Sequence, residues 1–154
     1  MRGRVMALRG GVRLLDDSYN ANPGAMRAAL AVVTQTNPEG SGRRIVVLGD
    51  MLELGAESEA RHREIGAALA AAGIDRAVVV GALMRDAAAA ARESGFTRVT
   101  AAATAEEAAA AIVPELRAGD VVLVKGSRGI GLDRVVAAIA GALGVAADAV
   151  EEKG

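Results

Sequence analysis

Two carboxylates, a hydroxyl, a phenol and two amides stand together in Asp16-Asp17-Ser18-Tyr19-Asn20-Ala21-Asn22-Pro23, where the apolar run Val12 to Leu15 gives way to a helix-like segment. Such a set can accept from the hydroxyls of a ligand and donate to its oxygens. The chain holds one Tyr and one Phe, so an aromatic ring spent in this loop suits a ligand better than a core. Asn22 followed by Pro23 is a helix start, with the amide as N-cap and the proline at the first helical position. That start explains two residues and leaves Asp16, Asp17, Tyr19 and Asn20 without a structural task. In an open α/β sheet the carboxyl ends of the strands are where ligands bind, so the segment reads as a binding loop.

Two further strand ends carry similar chemistry. Gly49-Asp50-Met51-Leu52-Glu53-Leu54-Gly55 follows the apolar run Ile45 to Leu48, and turn chemistry accounts for it as well as binding does. Lys125-Gly126-Ser127-Arg128-Gly129-Ile130-Gly131 follows the last apolar run, where glycines would let backbone N–H groups approach an anion and two cations add charge. This third loop is neither the phosphate-loop pattern, because Lys125 precedes its glycines, nor the dinucleotide fingerprint, which follows a first strand. On pattern alone it is an anion-binding loop or a tight connection in equal measure. His62 shares a helical face with Ile65 and Leu69, the place of a histidine packed at the core edge with one nitrogen hydrogen-bonded.

These loops must be positioned by one domain, residues 1–154, long enough to bury a single core. There is no Cys, which excludes disulfides, thiolate metal sites and thiol nucleophiles, and a lone His builds no metal pair. No residue set resembles a nucleophile with its base, so neither a catalytic residue nor a metal ligand is assigned. Eighteen Lys and Arg balance nineteen Asp and Glu without a basic stripe, which argues against nucleic acid. The most apolar stretch, Val135 to Val150, is too short and Ala-rich for a membrane span, and Met1 to Arg4 lacks the apolar core of a signal peptide. A cytoplasmic location is expected.

Val- and Ile-rich runs alternate with Ala-rich helical segments, the pattern of a mostly parallel sheet covered on both faces: an α/β three-layer sandwich. Val5 to Leu8 and Val12 to Leu15 flank Arg9-Gly10-Gly11 and predict an opening hairpin that contributes one antiparallel strand. Strands follow at 44–48, 77–80, 98–101 and 120–125, and helices at 23–35, 57–72, 83–93, 104–116 and 132–143, making six strands and five helices. Gly73 and Gly95 read as helix stops, and Thr104 with Glu107 as a capping box. Glu151 to Gly154 are expected to fray.

Taken together, Gly3-Arg4, D-D-S-Y-N-A-N-P, G-D-M-L-E-L-G with His62 after it, and K-G-S-R resemble the C-terminal domain of the Mur ligases over nearly the whole chain. Tyr19-Asn20-Ala21-Asn22 is similar to the D-alanyl-D-alanine-adding branch. The resemblance implies a Rossmann-like sheet of six strands, one of them antiparallel. It implies an ATP- and magnesium-dependent ligase of peptidoglycan precursor synthesis, in which a UDP-muramoyl tripeptide carboxylate becomes an acyl phosphate that the D-alanyl-D-alanine amine attacks. The family's UDP-binding domain and central ATPase domain have no counterpart here, so this chain alone is expected to be inactive, with the ATPase domain as its partner in cis and most of the metal site. By the same resemblance Arg4, Asp17, Tyr19, Asn20 and Asn22 are nucleotide-binding, and Lys125, Ser127 and Arg128 face the dipeptide. Gly129 to Asp133 depart from the Met and Met-Glu pattern usual after K-G-S-R, which leaves Asp133 without an assigned role. The alternative is a free-standing nucleotide-binding module, against which the missing glycine fingerprint counts.

Overall fold

Short Val, Ile and Leu runs form buried strands because apolar cover is available on both faces. The computed structural model describes residues 3–146, and the expected fraying of Glu151 to Gly154 falls outside them. Strands β1 (Arg4–Ala7), β2 (Arg13–Asp17), β3 (Arg44–Gly49), β4 (Arg76–Val80), β5 (Val99–Ala102) and β6 (Val121–Lys125) form one sheet in the order β1-β2-β6-β3-β4-β5. β1 runs antiparallel to β2 and every other pair is parallel. The β1–β2 turn needs φ of 77° at Gly10 and 74° at Gly11, conformations that cost glycine least.

Helices α1 (Pro23–Gln35), α2 (Ser58–Ala71) and α3 (Met84–Glu93) cover one face, and α4 (Ala105–Ile112) and α5 (Asp133–Leu143) the other. The period of two along each strand divides the core. Val46 and Leu48 pack with Met26, Ile65 and Met84, whereas Ile45 and Val47 pack with Ile112, Val135 and Ile139. The expected caps are present: Asn22 Oδ1 accepts from Ala25 N at 2.8 Å, and Thr104 Oγ1 from Glu107 N at 3.1 Å. Helix α4 stops at Ile112, short of the expected Leu116, and passes into a 3-10 turn over Val113–Glu115. Pro114 has no N–H with which to continue the helical ladder.

The topology decides where the loops meet. The chain passes from β2 through α1 to β3, then returns after β5 to insert β6 between them. β6 leads to a helix on one face, while its neighbours β2 and β3 lead to helices on the other. That is the switch-point arrangement that opens a crevice at strand ends. Lys125 is level with Asp17 on one side and Leu48 on the other, so the three exit loops leave side by side.

Gly66 lets α2 and α3 close on each other, since a Cβ there would run into the Ala87 carbonyl. Gly66→Ala is expected to destabilise the fold by about 1–3 kcal/mol through overpacking, read as a lower urea midpoint. An unchanged midpoint would show that the helices yield freely.

Candidate functional site

Lys125 ends β6 with only 2% of its side chain exposed. A buried ammonium persists only where acceptors replace its water. Its Nζ donates to Asp17 Oδ2 at 2.6 Å and to the Asn20 carbonyl at 3.0 Å. Asp16, one residue earlier, is buried too: Oδ1 accepts from Ser18 N at 3.2 Å and Ser18 Oγ at 2.7 Å, and Oδ2 from Arg4 Nε at 3.2 Å. The expectation that Asp16, Asp17 and Asn20 lack structural tasks is therefore corrected. Asp16 folds the turn, while Asp17 and the Asn20 backbone hold the buried cation. Asn22 is spent on its cap. Tyr19 is 45% exposed and makes no hydrogen bond among the described residues.

Ser127 does for β3 what Lys125 does for β2. Its Oγ accepts from Leu52 N at 3.0 Å and its N donates to the Asp50 carbonyl at 3.1 Å. The two loops touch closely, since a Cβ on Gly126 would stand 3.0 Å from Gly49 Cα and 2.8 Å from Leu132 Cδ1. His62, fully buried on α2, holds the same loop from beneath: Nε2 accepts from Met51 N at 3.0 Å and Nδ1 donates to the Ser58 carbonyl at 2.7 Å. These partners fix one neutral tautomer, so the histidine is a clasp using both nitrogens, more deeply set than its helical spacing suggested.

Asp50 accepts from Met84 N at 2.8 Å and so caps α3 from a distant strand. Its carboxylate lies over Gly81, whose φ is 113° and whose absent Cβ leaves the space. Glu53, exposed at the loop tip, has φ 66° and is the only non-glycine residue with positive φ among those described. Such a conformation is sparsely populated and persists where neighbours enforce it. Sequence reasoning noted Asp50 and Glu53 without separating cap from tip, and it passed over Gly81, whose one signal was a glycine directly after a buried strand.

What the edge leaves available differs from what the motifs suggested. Lys125 and Ser127 have their polar atoms engaged within the protein, whereas Arg128 is exposed and has no ion pair among the described residues. Arg4 is 64% exposed and engages only Nε, and Asp17 Oδ1 accepts nothing among those residues. Gly3, Arg4, Leu15, Asp17, Val32 and Leu123 help line a recess of about 230 Å³ with an apolar floor and a charged rim. Hydroxyls and anions suit that rim. No group of three His, Cys, Asp or Glu able to hold a metal occurs among the described residues, and no helix there is long and apolar enough to cross a membrane.

A family model described as "Mur ligase, glutamate ligase domain" matches residues 1–128. The UDP-N-acetylmuramoyl-tripeptide--D-alanyl-D-alanine ligase of Escherichia coli (strain K12) is 44% identical over 126 residues, covering 82% of this chain and 26% of that protein. The Bacillus subtilis (strain 168) protein of the same name is 34% identical over 137 residues, covering 88% and 30%. Among solved structures, MurF from Acinetobacter baumannii superposes with a TM-score of 0.78 at 31% identity, covering 88% of this chain and 29% of that one. MurF ligase from Thermotoga maritima in complex with ADP gives 0.74 at 26% identity, covering 92% and 31%. The chain spans less than a third of the length of each of these relatives.

Burial raises the Asp50 carboxyl above its ordinary 3.8, against the lowering effect of the Met84 and Leu83 N–H groups. A carboxyl that binds its proton more tightly when folded favours folding most below pH 3.8, and that contribution is lost as pH rises through the folded pKa. Asp50→Asn removes the titration. The stability of wild type minus that of D50N, from urea unfolding over a pH series, is expected to fall above about pH 4 and then level off. A difference that grows with pH would contradict the assignment.

Proposed function

The chain belongs to the Mur ligase family, and we propose that it is the C-terminal domain of an ATP- and magnesium-dependent ligase joining D-alanyl-D-alanine to a UDP-N-acetylmuramoyl tripeptide. The reaction would serve peptidoglycan precursor synthesis in the cytoplasm. The carrying observation is the meeting of the three exit loops at the β2–β6–β3 switch point. The names of the relatives that share this fold and sequence support the choice of reaction.

Aligning polyanionic substrates and stabilising charge on a transferring phosphoryl group calls for positioned cations and donors rather than a protein nucleophile. Arg4 and Asp17 fit the nucleotide: the guanidinium keeps free donors for a phosphate, and the carboxylate keeps an oxygen for a ribose hydroxyl. The exposed Tyr19 and the Asn20 amide stand on the same loop and complete that subsite. Asn22 contributes by capping the helix behind it. Magnesium is assigned mainly to the central ATPase domain, the partner in cis of this lid-like domain.

On the dipeptide side, Arg128 is the available cation, and a guanidinium matches a terminal carboxylate in charge and shape. Ser127 serves that subsite by tying the loop from which Arg128 projects to Leu52 and Asp50. In the full-length ligase, Arg128→Met is expected to cost about 1.5–3 kcal/mol of dipeptide recognition, roughly a ten- to hundred-fold rise in its KM, with much less change in the KM for ATP. Steady-state kinetics varying each substrate in turn check this. An effect confined to ATP would remove Arg128 from the dipeptide subsite.

A further inference from the structure

We propose that Lys125 is a positioning residue of the nucleotide subsite, acting through Asp17 and the Asn20 carbonyl without touching a ligand. The inference rests on the reading of Asp17 as nucleotide-binding. Its basis is a division of labour within one carboxylate: Oδ2 is held by Lys125 Nζ at 2.6 Å, while Oδ1 accepts no hydrogen bond among the described residues. The lysine is 2% exposed and the aspartate 23%, so the cation lies behind the carboxylate, on the protein side. A ligand hydroxyl therefore meets Asp17 and not Lys125. The ammonium fixes the carboxylate's rotation and offsets its charge without offering itself to the ligand, which is preorganisation of an acceptor before its ligand arrives.

The second bond extends the effect along the loop. Lys125 Nζ also binds the Asn20 carbonyl at 3.0 Å, so one cation ties both ends of the segment Asp17 to Asn20. Ser18, inside that segment, is held by Asp16. Tyr19 and Asn20 are the two residues of the four whose side chains are exposed, and of these Tyr19 has anchored neighbours on both sides. Its place at the sheet edge is thus set by a lysine 106 positions later in the chain. A lysine that instead gripped the dipeptide carboxylate would have to leave both acceptors and emerge from burial.

A double-mutant cycle in the full-length ligase tests the assignment, with the KM of each substrate and the melting temperature measured for every variant. Asp17→Asn and Lys125→Met are each expected to raise the KM for ATP about ten-fold, leave that for D-alanyl-D-alanine within about two-fold, and combine without further loss. Lys125→Arg, which keeps a cation beneath the loop, is expected to recover most of the ATP KM. Lys125→Gln carries the cycle if K125M does not fold: alone it is expected to raise the ATP KM several-fold, and paired with D17N to add nothing to the D17N loss. Additive losses, or a dipeptide KM that rises while the ATP KM stays put, would overturn the positioning role. Unchanged ATP kinetics in D17N itself would remove the nucleotide reading and this proposal together, whereas a D17N effect without a K125M effect would remove only the proposal.

Discussion

A single buried ammonium governs the geometry of the candidate site. Lys125 cannot be taken from water without acceptors, and the acceptors available come from the loop leaving the neighbouring strand. Satisfying the cation therefore dictates the path of Asp17 to Asn20. Two residues past Lys125, Ser127 engages Leu52 N and the Asp50 carbonyl on the opposite side through its hydroxyl and N–H. β6 is thus a central post to which the loops on its left and right are fastened. The close approach of Gly126 to Gly49 leaves no room for a side chain between two of them.

Behind these ties stands a second layer that shapes the loops without facing outward. His62 fastens the Met51 backbone from α2, and Asp50 spans to the start of α3 over Gly81. Every buried polar side chain near the edge is accounted for by one of these bonds, which is what a low-dielectric interior requires. The side chains left over, Arg4, Tyr19, Asn20, Glu53 and Arg128, are exposed at the same edge. The Lys125–Asp17 pair joins residues 108 positions apart, so the edge is complete only when the last strand has inserted between β2 and β3.

Much of this was legible in the sequence because it is local. Alternation of apolar runs and helical segments specified the layers, Asn22-Pro23 and Thr104 with Glu107 marked helix starts, and Gly73 and Gly95 marked stops, with φ of 72° and 95°. The three polar loops were visible as strand ends, and a parallel sheet gathers such ends by construction. What escaped depends on which strand lies beside which. Nothing near Asp17 announces that β6 will bring Lys125 alongside it, so the aspartate read as free and the lysine as ligand-facing. Asp50 as a cap for α3 escaped for the same reason, because its partner Met84 lies on a different strand–helix unit. Two local features were misjudged: β2 runs on through Asp16 and Asp17, two residues past the expected Leu15, and α4 ends early, for which Pro114 was the signal.

The central claim is that the C-terminal edge around β6 is where the nucleotide meets this domain. Amide chemical-shift mapping of the isotope-labelled chain titrated with ADP tests it most directly, because weak binding by one domain still moves shifts. The account expects perturbations gathered at Arg4 and at Asp17 to Asn20, on the nucleotide side of that edge. Perturbations at the opposite edge of the sheet, around Arg13 and Asp120, or none at millimolar ADP, would contradict it.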